Sequence, residues 1–357
     1  MKPSILIDLE RLRYPYSGLG YYCQCLEAGL RLLPSLPLEL NYYKAGRGDR
    51  QSDERRFSHL HHYYNPQPSG YTLLHVTHQL QRYFLRTARV RGKRILTLHD
   101  LNFLYEQISP KSYGRRLKRV RMNLSKADVI VCISKFVADC LLEHRELVGL
   151  RSAQRIEVIH NGIMLGDGVG EQTDRLTLLI GRNYLLAIGA FLEKKQQHLL
   201  LEMLPYLPED LHLVLVYSSG DEGYTRRLRQ LTEELRLGER VHYLESVSEA
   251  EKQYLLRHCT ALIHPSIAEG FGIPPIEAMA LGKPVFLSQA TSLPEVGGSE
   301  AYYFTGNKPQ AMAAEFLEGL ADYDRTPDKG ERLIRWAQQY DYRAMASRYA
   351  DLYQSLL

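Results

Sequence analysis

The chain has 357 residues, 45% hydrophobic and 24% charged, and carries a formal net charge of +4. That length fits two domains with a core each, and the composition is that of a soluble globular protein; no run of about 18 apolar residues offers a spanning helix. The five cysteines (Cys23, Cys25, Cys132, Cys140, Cys259) follow no zinc or disulfide spacing, so reduced thiols in a cytoplasm are expected. Charge is uneven. Residues 1–175 hold 27 Lys and Arg against 17 Asp and Glu, whereas residues 176–357 hold 18 against 24. A basic N-terminal half predicts an anionic partner there, or complementarity to the acidic half.

The start, Met-Lys-Pro-Ser-Ile-Leu-Ile-Asp, is charged too early for a signal peptide and reads as a first strand, Ser4–Leu9. Tyr14-Pro-Tyr-Ser-Gly-Leu-Gly20 follows, then a helical stretch from Tyr21 to Leu33. Strand, glycine turn and helix open a nucleotide-binding α/β unit, and Gly18 and Gly20 would let backbone N–H groups approach a phosphate. The three-glycine dinucleotide pattern is absent. Tyr14, Tyr16, Tyr21 and Tyr22 are candidates to stack on a sugar or to line a cleft. The stretch from Tyr42 to Ser69 reads as polar and irregular. Its His59, His61 and His62 have no Cys or acidic pattern to make a metal site, so a solvated loop is expected.

Tyr71–Val76 reads as a strand with His75 and His78 at its end. Arg94–Leu98 is the next, ending in His99-Asp100. Residues 82–94 and 111–126 are rich in Arg and Lys; the second is helix-like, with an apolar stripe at Leu117, Val120 and Leu124. A solvated face is the plain expectation, and peripheral contact with anionic lipid the functional one. No nucleic-acid motif appears. Ala127–Ser134 is a buried strand with Ser134 as helix N-cap. Arg155–Ile159 leads to His160-Asn161-Gly162, a tight turn. Residues 163–182 read as a linker.

Tyr184–Ile188 starts a second α/β unit and runs into Gly189-Ala190-Phe191-Leu192-Glu193-Lys194-Lys195. Leu211–Tyr217 and Val241–Leu244 are strands, each followed by a loop and a helix. Ala261–Ile263 is another, and after it comes His264-Pro-Ser266-Ile-Ala-Glu269-Gly270-Phe271-Gly272-Ile273-Pro-Pro-Ile-Glu277-Ala-Met-Ala-Leu-Gly282-Lys-Pro-Val285. Prolines suit a first helical turn and Gly282 stops the helix. A strand, a glycine loop and a helix N-terminus make a seat for an anion. Glu269 in the loop and Glu277 about one turn into the helix can border one ligand; spacing alone equally allows an ordinary crossover with solvated carboxylates. Beyond it lie Val285–Ser288, a helix from Pro309 to Leu320, and C-terminal helices carrying Trp336. Asp322-Tyr323-Asp324 follows a helix, away from any strand end, and reads as a solvated loop.

The stretch Glu269, Gly270-Phe271-Gly272, Ile273-Pro274, Glu277, Ala278-Met279-Ala280, Gly282, Pro284-Val285 resembles the donor-site signature of retaining glycosyltransferases of family 4. The resemblance implies an α/β GT-B fold of two Rossmann-like domains facing a central cleft. An acceptor-side domain of residues 1–175, with a C-terminal helix near 340–357 packed back on it, would precede a nucleotide-sugar domain of residues 182–339. It implies that Glu277 accepts hydrogen bonds from the ribose, and that Glu269 and the backbone of Gly270, Phe271 and Gly272 hold the sugar. Lys195 and the helix N-terminus would hold the diphosphate, with Ser266 and Ile273 lining the seat, Gly18 and Gly20 facing it, and His99 reaching the transferred sugar. The Arg usual after Gly189 is Ala190 here; Lys194 is the expected substitute. His160 stands where the family has Pro, and Glu245 where it commonly has Gly, so the base stays unread. The expected reaction is metal-free, cofactor-free transfer of a hexose from a nucleotide-diphosphate sugar to a glycan or lipid-linked glycan. Its expected place is the cytoplasm, at the inner face of a membrane, with no nucleic acid involved. The alternative is a nucleotide-sugar-binding protein with a decayed site, which Ala190 favours. An epimerase or a phosphorylase on the same fold lacks catalytic carboxylates or a cofactor lysine that can be placed.

Overall fold

Strands such as Val129–Cys132 are apolar at every position and buried throughout, leaving no face for water. Such strands belong in the middle of a parallel sheet covered on both sides. The structure, a computed structural model, describes all residues except 1, 16, 35, 45–51, 59, 62–69, 85–91, 107 and 166–169. It divides into two units, residues 1–164 with 340–357 and residues 165–339. The second unit thus begins within the stretch read as a linker.

The first unit contains β1 (Ser4–Leu9), β2 (Glu39–Lys44), β3 (Glu54–Arg56), β4 (Leu73–Val76), β5 (Lys93–Leu98), β6 (Val129–Cys132) and β7 (Arg155–Val158). They form one parallel sheet in the order β3-β2-β1-β4-β5-β6-β7. Its helices are α1 (Gly18–Leu32), α2 (Pro110–Leu124), α3 (Lys135–Glu143) and α4 (Arg145–Val148). Two expectations need correction. β2 and β3 fall in or beside the stretch read as irregular: Tyr42 and Tyr43 are buried, and Glu54-Arg55-Arg56 is polar because it forms the sheet edge. α1 starts at Gly18 rather than Tyr21, because the Ser17 hydroxyl accepts the Gly20 N–H at 3.1 Å and caps it.

The second unit contains β8 (Asn183–Ile188), β9 (Leu211–Tyr217), β10 (Val241–Glu245), β11 (Ala261–His264), β12 (Val285–Ser288) and β13 (Tyr302–Phe304). Their order is β10-β9-β8-β11-β12-β13, again parallel. Its helices are α5 (Gln197–Met203), α6 (Glu222–Glu234), α7 (Glu249–His258), α8 (Ile273–Ala280), α9 (Leu293–Gly297), α10 (Pro309–Arg325) and α11 (Lys329–Gln338). Leu185, Leu213, Ile263, Phe286 and Phe316 centre the core. Asp322-Tyr323-Asp324 is the last turn of α10, not a loop, and Asp322 accepts a 2.7 Å hydrogen bond from the Tyr302 hydroxyl.

The final helix, α12 (Tyr342–Ser355), returns to the first unit and packs along α1. A buried hydroxyl network fastens it. Tyr349 Oη lies 2.8 Å from Tyr22 Oη and 2.9 Å from Thr97 Oγ1, while His75 joins Thr97 at 2.8 Å and Tyr353 at 2.7 Å. Tyr22 and His75 are thus structural rather than sugar-facing.

In both sheets the chain order reverses between two adjacent strands, β1 with β4 and β8 with β11. Ligands of open parallel sheets settle outside the carboxyl ends of such strands.

Candidate active site

At the reversal in the second unit, the loop after β8 meets the loop after β11. The first runs from Gly189 into a 3-10 turn at Glu193–Lys195. The second runs from Pro265 to Gly272 and enters α8. Backbone and side chain tie them together: Ile267 N–H donates to the Lys194 carbonyl at 2.9 Å, and the Ser266 hydroxyl donates to the same carbonyl at 3.2 Å. Ser266 is fully buried, and its own carbonyl accepts from Ser288 Oγ at 2.5 Å. It positions the two loops.

This tie brings the Lys195 ammonium into an ion pair with Glu269. His264, the last residue of β11, places Nε2 2.5 Å from the same carboxylate oxygen. Burial alone would raise the Glu269 carboxyl, but the charges and hydrogen bonds of Lys195 and His264 outweigh it and hold the group well below the ordinary carboxylate range. Glu269 therefore stays ionised. An ammonium, an imidazole and a carboxylate share one small, partly buried place.

The glycine loop is held from beneath. Glu269 N–H donates to Thr291 Oγ1 at 3.0 Å, and Ser292 Oγ donates to the Phe271 carbonyl at 2.8 Å. Phe271 is buried. Gly272 has φ of +112° and caps α8 in place of a side chain; a Cβ there would stand 3.0 Å from Leu293. Only glycine takes this geometry cheaply. Pro274 and Pro275 then occupy the first turn, where no N–H is required. Ile273 opens the helix, and Gly270 sits half-buried at the mouth of the loop.

Glu277 is buried at 5% exposure and does not stand alone. Lys252 of α7 reaches it at 2.7 Å and also pairs with Glu249 at 2.9 Å. Burial raises the Glu277 carboxyl against the pull of Lys252. Burial would lower the Lys252 ammonium, but Glu277 and Glu249 outweigh it and keep the group charged. Lys252 was not anticipated: nothing in the sequence pairs residues 25 apart on different helices. Its one local signal is the capping box of Ser248 and Glu251, which fixes α7 and hence the direction of Lys252. Lys194 is half-buried beside this site. Ala190 contributes only its carbonyl, which accepts from Gln197 Nε2 at 3.0 Å.

In the first unit, His99 follows β5 and is buried. Its Nε2 lies 2.9 Å from the Thr77 carbonyl, and its backbone N–H donates to Gln79 Oε1 at 3.1 Å. A carbonyl can only accept, so Nε2 carries the proton and Nδ1 is the ring's acceptor. Burial lowers the imidazole to about 4, and its bond to Thr77 only partly opposes this. His99 is neutral at pH 7. Gly18 has open space around it, whereas Gly20 lies against the backbone: a Cβ would stand 2.0 Å from the Tyr14 carbonyl. With its N–H on Ser17, Gly20 is a close-packing glycine. Tyr14 is exposed, and Tyr21 Oη accepts from Met164 N–H at 3.1 Å. Tyr16, His59 and His62 lie outside the described residues. His61 is satisfied by Tyr43 Oη at 2.6 Å.

Residues 171–339 match the family described as Glycosyl transferases group 1, and residues 40–166 match Glycosyltransferase Family 4. The chain belongs to the family 4 glycosyl transferases of group 1. Similarity extends to the O-antigen chain mannosyltransferase RfbU of Salmonella typhimurium, 27% identical over 69% of this chain. The match spans 65% of that relative's length. The O-antigen chain mannosyltransferase B of Escherichia coli is 25% identical over 99% of this chain and 100% of its own. A structure of HepE from Anabaena in complex with UDP and glucose superposes with a TM-score of 0.74. At 20% identity, it covers 99% of this chain and 100% of that one. The glycosyltransferase fold is GT-B, and no helix among its described residues is long and apolar enough to cross a membrane.

Proposed function

We propose that this chain moves a hexose, mannose by preference, from a nucleotide-diphosphate sugar to a hydroxyl of a glycan or lipid-linked glycan acceptor during assembly of a surface polysaccharide. The observation that carries this reading is the Lys195–Glu269–His264 cluster beneath the glycine loop at the start of α8. The mannosyltransferase relatives support the sugar, and the UDP-bound neighbour supports a nucleotide donor.

Each group then has a task. Lys195 and the N-terminus of α8 stabilise the diphosphate as its charge grows on departure. These protein charges do the work of a metal ion, so the reaction runs without one. Lys194 supplies the second cation in place of the Arg missing at Ala190. Glu269 and the backbone of Gly270, Phe271 and Gly272 orient the sugar hydroxyls. Glu277 accepts from the ribose, with Lys252 holding its carboxylate charged. Neutral His99 accepts a sugar hydroxyl proton in a hydrogen bond at Nδ1 and takes no part as an acid at pH 7. The anomeric configuration is retained, with a leaving-group oxygen assisting deprotonation. The protein works in the cytoplasm, at the inner face of the membrane, with the basic face of α2 toward anionic lipid.

A second reading, a binding protein with a decayed site, draws on Ala190 alone. One assay separates them. The protein is incubated with GDP-mannose or a UDP-hexose and a diphosphate-linked glycan, with and without chelator, and the product's anomeric configuration is read by NMR. Transfer with retention, unaffected by chelator, is expected. Donor binding without turnover would favour the second reading, and loss of activity on chelation would refute the metal-free mechanism.

A further inference from the structure

Two arginines of the first unit, Arg82 and Arg119, form no hydrogen bond or ion pair with any described residue. They are not scattered surface charges. The sheet order reverses between β1 and β4, and both strands send a basic residue to that point. Arg11 lies in the 3-10 turn Glu10–Arg13 after β1, and its Nε donates to Nε2 of His78 at 3.1 Å. His78 follows β4 and is 2% exposed. Helix α2 is pinned over the same segment, because Asn123 Nδ2 donates to the carbonyls of Gln79 at 2.8 Å and Gln81 at 3.1 Å. Arg119 lies one turn earlier on the same face of α2 and so is set beside Arg82.

The local charge is unbalanced. Burial and then the guanidiniums of Arg82, Arg115 and Arg11 lower the proton affinity of half-buried Arg119. His78 is held neutral by burial and by Arg11, His99, Arg119 and Arg82. The carboxylate beside Arg11, Glu10 at 3.5 Å, is already paired with Arg13 at 3.0 Å. Mutually repelling guanidiniums at a sheet reversal are the arrangement an oxyanion completes, and their planar forks match phosphate oxygens.

We propose that Arg11, Arg82 and Arg119 form a subsite for a phosphate group carried by the acceptor. The segment Thr77–Arg82 that bears two of the groups also fixes His99, through the Thr77 carbonyl and Gln79 Oε1. The phosphate therefore sits close to the hydroxyl that reacts. Assigning it to the acceptor rests on the transferase reading above; the anion site itself does not. The phosphate belongs either to a diphosphate joining glycan to lipid or to a phosphate ester on the acceptor sugar.

Calorimetry with inorganic pyrophosphate and inorganic phosphate tests the subsite on three proteins: wild type, Arg82→Gln/Arg119→Gln, and Lys195→Ala as a control on the second unit. Pyrophosphate binding should survive Lys195→Ala and weaken at least tenfold in the double arginine variant. Without anion that variant should melt no lower than wild type, because it removes repulsion and breaks no hydrogen bond or ion pair with a described residue. A tenfold preference for pyrophosphate assigns the diphosphate linkage, and equal affinity assigns the ester. Binding unchanged in the arginine variant, or lost in Lys195→Ala, overturns the subsite. Failure of every nucleotide to bind while the arginine-dependent site persists would remove the transferase reading and leave the anion site.

Discussion

A half-buried carboxylate, Glu269, and a buried one, Glu277, each keep an ammonium partner, and removing one partner of such a pair costs more than the pair contributes. Lys252→Leu leaves Glu277 buried against no cation, so it should destabilise the second unit by about 3 kcal/mol. Adding Glu277→Gln should recover most of that loss. A double-mutant cycle in urea reads the coupling; additive effects would mean the contact is idle. Lys195→Ala leaves Glu269 with His264 alone and should weaken nucleotide binding by about tenfold or more, since hydrogen bonds to charged groups contribute roughly 1.5–3 kcal/mol. Calorimetry with the nucleoside diphosphate measures it. The placement of the two glutamates, one in the loop and one in the first turns of the helix, was legible. Their lysines were less so. Lys195 is 74 residues from Glu269 and is marked only by its place after a strand. Lys252 is marked by nothing that points to Glu277.

At the scale of elements, the strands buried on both faces were readable because their apolar runs have no polar face to blur them. β2, β3 and β13 were not. β2 alternates Leu40, Asn41 and Tyr42, β3 is an edge of charged residues, and β13 is a three-residue edge. Pairing with a neighbour, not local pattern, makes them strands. The start of α1 was misread by three residues because Gly18 and Gly20 look like a loop, yet Ser17 caps them into a helix. The link between α12 and the first sheet runs through hydroxyls that pattern does not reveal. Tyr349→Phe strips a partner from both Tyr22 and Thr97 and should cost about 1–3 kcal/mol. Urea unfolding followed by near-ultraviolet circular dichroism checks this; an unchanged midpoint would show the network to be neutral.

Across the whole molecule, acid sensitivity follows from imidazoles buried in their neutral form. Burial lowers His75 to about 3 and His99 to about 4, and pushes His78 well below its ordinary value. The unfolded chain binds protons at these groups below about 6.5 while the folded chain does not. Stability therefore rises with pH between about 4 and 6.5 and is lost as pH falls through that window, by up to about 1.4 kcal/mol per pH unit for each group. Asp8 works the other way: burial raises it to about 7, so the folded chain holds a proton there that the unfolded chain releases. Burial likewise lowers His61, His198, His212 and His242 and raises Glu277, so seven histidines against two carboxyls leave the net slope positive, and urea midpoints from pH 4.5 to 6.5 should rise. A flat or falling series would contradict the neutral burial of these histidines.

The proposed donor seat in the second unit is the centre of the account, and a ligand that binds only the folded state raises its melting temperature by mass action. A thermal-shift series with UDP, GDP, ADP and their sugars, run on wild type and Glu277→Ala, tests it most directly. The account predicts that one nucleoside diphosphate and its sugar stabilise wild type and that Glu277→Ala abolishes most of the shift. Stabilisation by none of them, or an equal shift in both proteins, would contradict it.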